Sequence, residues 1–200
     1  VYNAAGGHLS ICSGIKGYNA TLTNGSQSGL ECVAVACEEI KKRRAKAILS
    51  VGADDGGDTI TDLYEKIGFF DGKDMMRVLS DGAASVLVEE KENAYNRGAK
   101  VYCRIYGYGK SHFSTPYGDF CVDSDGVLSA VRQALTDAKT SAKEIGALYF
   151  DLPSEDVITN NKEIKELFGD VNTLNIKEYF GDGRASTAML CVATAALTLS

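Results

Sequence analysis

Hydrophobic positions along this chain switch repeatedly between two rhythms. From Ser28 onward, Leu30, Val33, Ala34, Cys37 and Ile40 recur at helical spacing, with Glu31, Glu38 and Glu39 on the other side. The next run, "AKAILSVGADD", is apolar without interruption, as expected for a strand covered on both faces. "DTITDLYEKIGFF" predicts a helix and loop, "AASVLVEE" a second buried strand, and "KENAYNRG" a short helix closed by Gly98. The rhythm then restarts. "AKVYCRIYGYG" predicts a strand, and "SDGVLSAVRQALTDAK" a helix with Val127, Val131 and Leu135 on one face. "IGALYFDLP" is a strand, "NNKEIKELFG" a helix, "VNTLNI" a strand and "RASTAMLCVATAALTLS" a helix. Before all of these, "AAGGHLSICSGIKG" predicts a short helix and "NATLTN" a strand. Alternating strands and helices define an α/β class. The two halves, 1–98 and 99–200, repeat this logic with no linker between them.

Composition narrows the function. A net charge of −6 argues against a nucleic-acid partner. The basic cluster "KKRR" closes a predicted helix, where cations complement the dipole. Six cysteines form no CxxC pair, and with His8 and His112 as the sole histidines no zinc site is expected. Most of these cysteines fall in apolar segments and read as core residues of a reducing compartment. No apolar run is long enough for a membrane helix, so the expected location is cytoplasmic. The acids of "GADDGGD" lack EF-hand spacing and read as a solvated turn.

Four stretches, in order, resemble the β-ketoacyl synthase family of the thiolase fold. "AAGGHLSICSGIKGYNATLTNGSQSGLECVAVACEEI" resembles a helix, a G-P-N-type strand entry and an A-C-S-S-G-L-type turn leading into a long helix. "DGAASVLVEEKENAYNRGAKVYCRIYGYG" resembles an apolar strand ending in Glu, an A-x-x-R-G-A helix and a Y-x-x-I-x-G-Y-G-like strand. "IGALYFDLPSEDVITNNKEIKELFG" falls where the family has a strand, an H-G-T-S-T-type loop and an acidic residue before a helix. "LNIKEYFGDGRASTAML" falls where it has S-x-K-x-x-x-G-H before a long helix. The resemblance implies a layered α/β/α/β/α thiolase-like fold without its outer N- and C-terminal elements, hence an interior portion of a longer protein. Residues 1–98 would be part of the N-terminal half and 99–200 part of the C-terminal half.

It also implies a site. Family members place a cysteine thiolate at a helix N-terminus, where dipole and backbone N–H groups favour the anion. Two histidines promote malonyl decarboxylation and stabilise the enolate, and a lysine supports them. Residue by residue, Ser26 stands at the cysteine, Leu152 at the first histidine and Asp182 at the second. Lys177 matches the lysine, and Glu163 the acidic residue that anchors the third stretch. A one-residue slip at Leu152 recovers no histidine, because none lies beyond His112. A serine hydroxyl needs an adjacent base to act as a nucleophile. Standard condensation is therefore not expected.

The resemblance points to a partner subunit of an active synthase, resembling a chain-length factor. Alternatives are an acyl-transferring or hydrolysing enzyme using Ser26, and an acyl-binding homodimer. Acyl carrier protein is the implied partner, its phosphopantetheine arm carrying the substrate, with no cofactor or metal of the chain's own. Homodimers or heterodimers would form through Ala20 to Thr23. The plain alternatives are that Ser26 caps its helix, that Lys177 and Glu163 form an ion pair, and that His8 and His112 are structural or surface residues.

Overall fold

The computed structural model describes residues 3–70, 78–112, 124–152 and 162–199. Its elements in chain order are α1 (Ala4–Ser13), a 3-10 turn (Gly25–Gln27), α2 (Ser28–Lys41), β1 (Ala47–Asp54), α3 (Asp58–Lys66), β2 (Gly82–Glu89) and α4 (Lys91–Asn96). After these come α5 (Ser124–Ala138), a 3-10 turn (Ala142–Glu144), β3 (Ala147–Phe150), α6 (Lys162–Phe168), β4 (Asn172–Asn175), α7 (Lys177–Phe180) and α8 (Ala185–Thr198). Cys121, most of the polar loop after His112 and the loop after Leu152 lie outside the described residues.

β1 and β2 pair antiparallel along their whole length, from Ala47 opposite Glu89 to Asp54 opposite Gly82. Their inward side chains meet α2 and α8. Val33 and Ala36 of α2, Val88 of β2 and Met189 of α8 form the buried cluster, with Ile40, Ile48, Ala84, Val86 and Val192 around it. Two glycines permit the close approach. A Cβ on Gly29 or on Gly52 would run into the carbonyl oxygen of Ala185, so α2 and β1 seat the first turn of α8 backbone to backbone. β3 and β4 pair in parallel, Phe150 beside Asn175.

Four expectations change. β2 is buried on one side only: Val88 points in, while Ala83, Ser85 and Leu87 are exposed. On α2, Leu30 faces out and Ala36 takes its place, because small side chains let α8 approach. Glu39 is buried rather than solvated, and Arg44 pairs with it at 3.2 Å. Neither Ala20–Thr23 nor residues 99–109 form strands, although both are strand-like in sequence. A strand needs a neighbour to complete its ladder, and none of the described residues supplies one. Among the described residues no helix is long and apolar enough to cross a membrane.

Candidate functional site

Two helix N-termini meet in the interior. At the first, Gly25 adopts φ +64° and turns the chain into the 3-10 segment that carries Ser26. The backbone runs straight on into α2, the Ser28 N–H donating to the Gly25 carbonyl. The hydroxyl that serves this turn belongs to Ser28, which accepts from the Asn24 N–H at 2.7 Å. Ser26 is half-buried and does not cap α2; the residue before the helix is Gln27, which makes no side-chain cap either. The capping expectation for Ser26 fails because the 3-10 turn already directs its neighbours' amides to backbone acceptors.

At the second, charge is concentrated. Lys177 Nζ donates to Asp182 Oδ2 at 3.0 Å, with both side chains more than nine-tenths buried. The other oxygen, Oδ1, accepts the Arg184 N–H at 3.0 Å. The backbone of Asp182 is clamped from outside by the Val78–Ser80 segment: its N–H donates to the Val78 carbonyl at 2.7 Å, and its carbonyl accepts from the Ser80 N–H at 3.2 Å. Arg184 sits at φ +49°, a left-handed conformation costly for a side-chain-bearing residue. Its guanidinium donates to Asp54 Oδ1 at 2.6 Å and to the Asp55 carbonyl at 2.8 Å, joining the end of β1 to the start of α8. Thr187 accepts the Gly183 N–H at 2.7 Å, and Ser186 donates to the Gly183 carbonyl at 2.8 Å.

A third charged residue, which the sequence reading passed over, joins this pair. Asp151 follows directly on β3. The Phe150 carbonyl before it accepts from the Ile176 N–H at 2.9 Å, and the Leu152 carbonyl after it accepts from Asn175 Nδ2 at 3.1 Å. Residue 151 is thereby fixed on both sides to the strand end that leads into Lys177. Burial pushes its carboxyl up to about 6, with Asp182 adding to the rise and Lys177 opposing it. The nearby Cys191 thiol is pushed up to about 12 by burial and then by Asp151, so it stays protonated at neutral pH. Burial also raises Cys32 and Cys37, which disfavours their thiolates.

Of the remaining candidates, Leu152 stands beside Asp151 and the others lie apart. Leu152 contributes its carbonyl, as above, and its side chain is partly buried. Glu163 is on the exposed first turn of α6 and pairs with Arg132 at 3.3 Å. The expected Lys177–Glu163 ion pair is therefore absent: Lys177 is buried beside Asp182, five residues along its own turn, and α6 presents Glu163 to α5. His8 and His112 are exposed. Among the described residues no group of His, Cys, Asp and Glu is placed to hold a metal. A groove of about 880 Å³ lies elsewhere, between the end of α2 and α5, with Glu38, Lys41, Tyr108, Arg132 and Asp137 in its walls. A smaller cavity of about 470 Å³ lies beside Leu79 and Ser80, on the segment that clamps Asp182.

Asp151 had a signal in the sequence: it is the first charged residue after the apolar run "ALYF". Strand ends in α/β folds are where sites form.

Comparison with known proteins gives a consistent picture. No family model matches the chain. It is 30% identical over 198 residues to 3-oxoacyl-[acyl-carrier-protein] synthase 2 of Vibrio cholerae, covering 88% of this chain and 47% of that protein. It is 27% identical to Nodulation protein E of Rhizobium leguminosarum bv. trifolii, covering 84% of this chain and 44% of that one. Among solved structures it superposes on a type II PKS acyl-carrier protein in complex with its ketosynthase bound to the hexaketide. There the TM-score is 0.83 at 19% identity, over 96% of this chain and 53% of that one. A β-ketoacyl synthase from Burkholderia phymatum gives 0.76 at 18% identity, over 97% and 51%. The fold is thus the thiolase-like fold of the ketosynthases. The chain spans about half the length of the curated relatives it matches.

Proposed function

The chain belongs to the β-ketoacyl synthase family, and from that premise we propose that its protein does not run the standard condensation and serves as a partner subunit of an active synthase in fatty-acid or polyketide-type metabolism. The observation that carries this reading is the buried Lys177–Asp182 ion pair. Decarboxylative condensation develops negative charge on an enolate oxygen, which a site stabilises with aimed donors. At the second histidine position, Asp182 presents an anion whose two oxygens are already engaged by Lys177 and by the Arg184 N–H. A carboxylate there opposes the enolate, and the lysine is neutralised by it.

The nucleophile position supports the same reading. Ser26 stands at the N-terminus of α2, but the helix field supplies at most about 2 kcal/mol, too little to ionise a hydroxyl at neutral pH. The charged cluster sits at the start of the other helix. Acyl carrier protein is the proposed partner, delivering acyl groups on its phosphopantetheine arm. Ala20–Thr23, exposed except for the partly buried Leu22 and without a strand neighbour among the described residues, is the proposed edge for a second subunit.

The test uses the full-length protein, alone and mixed with an intact ketosynthase from the same source. The expected result is co-elution with that synthase, and no condensation product when the protein alone meets acyl- and malonyl-loaded carrier protein. Condensation by the protein alone overturns the proposal. So does an acyl adduct on Ser26, seen by peptide mass spectrometry and lost in Ser26→Ala, which would make it an acyl-transferring enzyme. A homodimer that binds acyl chains and ignores the synthase would leave binding alone as the role.

A further inference from the structure

The two hollows of the molecule answer their charges differently. In the groove between α2 and α5, Lys41 pairs with Asp137, Arg132 with Glu163, and Glu38 accepts from the Tyr108 hydroxyl. Charge there is met within the wall. The cavity of about 470 Å³ beside Leu79 and Ser80 is of another kind. Phe70, Val78 and Leu79 give it apolar walls, and among the described residues that line it Asp81 is the one that carries charge. One oxygen of Asp81 accepts the Gly56 N–H, and no cation pairs with the carboxylate among the described residues. The Thr61 hydroxyl donates to the Gly56 carbonyl at 2.8 Å, which ties α3 to the same rim. A hollow of this size, largely apolar with a placed polar group, suits a small ligand. An unpaired carboxylate selects an ammonium, and an aromatic neighbour adds to that preference.

This cavity is part of a ring of contacts that holds Asp182. Asp54 Oδ1 and the Asp55 carbonyl accept from Arg184, and the Gly56 N–H beside them reaches Asp81. Val78 and Ser80, just before Asp81, bond to the backbone of Asp182, and Leu79 bridges to it in parallel. We propose that the cavity binds a small primary ammonium with an apolar body, and that its occupant braces the 78–80 clamp on Asp182. The ammonium meets Asp81, and the body lies against Phe70, Val78 and Leu79. Contacts made across the gap between the Gly56 rim and the clamp exist only while the clamp is closed. By linkage, binding therefore makes local opening of the clamp rarer. The site goes beyond the partner-subunit reading and stands without it.

The experiment titrates the full-length protein at neutral pH with phenethylammonium, and with hydrocinnamate as a probe of similar body and opposite charge. Calorimetry reads the affinity, and hydrogen exchange reads the Ser80 and Asp182 amides. The expected result is roughly millimolar binding of the amine, with the acid bound at least about tenfold more weakly. Both amides should exchange more slowly when the amine is bound. Asp81→Asn keeps an oxygen acceptor for the Gly56 N–H and removes the charge. In this variant, shown to be folded by its thermal unfolding, amine affinity should fall about tenfold. Equal binding of the two probes, or amine binding unchanged in Asp81→Asn, overturns the proposal. Amine binding that leaves the Ser80 and Asp182 amides unaltered places the ligand elsewhere and overturns it too. So does the absence of amine binding at about 10 mM.

Discussion

The N-termini of α2 and α8 touch, yet they are built on opposite principles. The α2 end carries one acid in its first turn, Glu31, which accepts from Asn24 Nδ2 and pairs with Lys110 at 3.5 Å. Its turn is held by backbone bonds and the Ser28 hydroxyl, and Gly29 gives up its side chain so that α8 can dock. The α8 end gathers Asp182, Lys177, Arg184, Asp54 and Asp151 within a few residues of its first turn. A helix N-terminus attracts anions. At α8 that attraction is satisfied internally by Asp54, whose Oδ2 accepts the Ala185 N–H at 3.4 Å. At α2 it is met by Glu31, on the partly exposed side of the first turn. The lesson is that buried charge gathers at the start of α8, while the turn that carries Ser26 is held by backbone bonds and the Ser28 hydroxyl.

The comparison breaks most visibly at Lys177. Lys177→Met leaves Asp182 and Asp151 buried without their cation, and the expected loss is about 3–5 kcal/mol, read from the urea midpoint. Replacing the pair together, Lys177→Met with Asp182→Leu, should recover most of that loss, because two apolar side chains carry no unpaired charge. If the double variant is no better than the single one, the cluster is not acting through charge.

Asp151 gives the second-largest effect, with the opposite sign. An aspartate in an unfolded chain titrates near 3.9, whereas Asp151 in the folded chain titrates near about 6. Between those values the folded state holds a proton that the unfolded state has lost. Stability therefore falls as pH rises through this window, and the cost is complete above it. Asp151→Asn should leave stability unchanged below about pH 4 and raise it by up to about 3 kcal/mol above about pH 6. Equal pH profiles for wild type and variant would show that Asp151 is not shifted.

At the α2 end the effects should be small. Ser28→Ala removes the acceptor of the Asn24 N–H, with an expected cost of about 1 kcal/mol in thermal or chemical unfolding. Ser26→Ala should change stability by less than about 0.5 kcal/mol, as for a substitution that removes no cap and no ion pair. A loss at Ser26 as large as that at Ser28 would mean the two hydroxyls share the turn.

The sequence allowed most helices to be read, because their periodicity is a local property. α2, α5 and α8 lie where helical segments were expected, although the buried residue of α5 is Leu128 and not one of Val127, Val131 and Leu135. The strands at Ala20–Thr23 and 99–109 were not legible in the same way. Their β-prone residues are real, but pairing is decided by a neighbour, not by composition. Lys177 and Asp182 could be named from their spacing to the family pattern. Their mutual ion pair could not, since burial of a charge depends on α8 and the 78–80 clamp. Leu152 was named by anchoring across a loop on Glu163, which lies on the exposed first turn of α6 beside Arg132.

The seat of α8 on Gly29 and Gly52 has a consequence for when the site comes into being. Gly29 and Gly52 belong to α2 and β1, and Ala185 and Met189 to α8, far along the sequence. The contact closes a very large loop, whose entropy must be overcome before packing compensates. During synthesis the Ser26 turn and the β1–β2 pair emerge long before the helix that covers them. The first half therefore waits with its apolar face open until α8 has been made, and the charged cluster forms in the same late event. Until α8 has been made, the faces of α2 and β1 that it covers stay open.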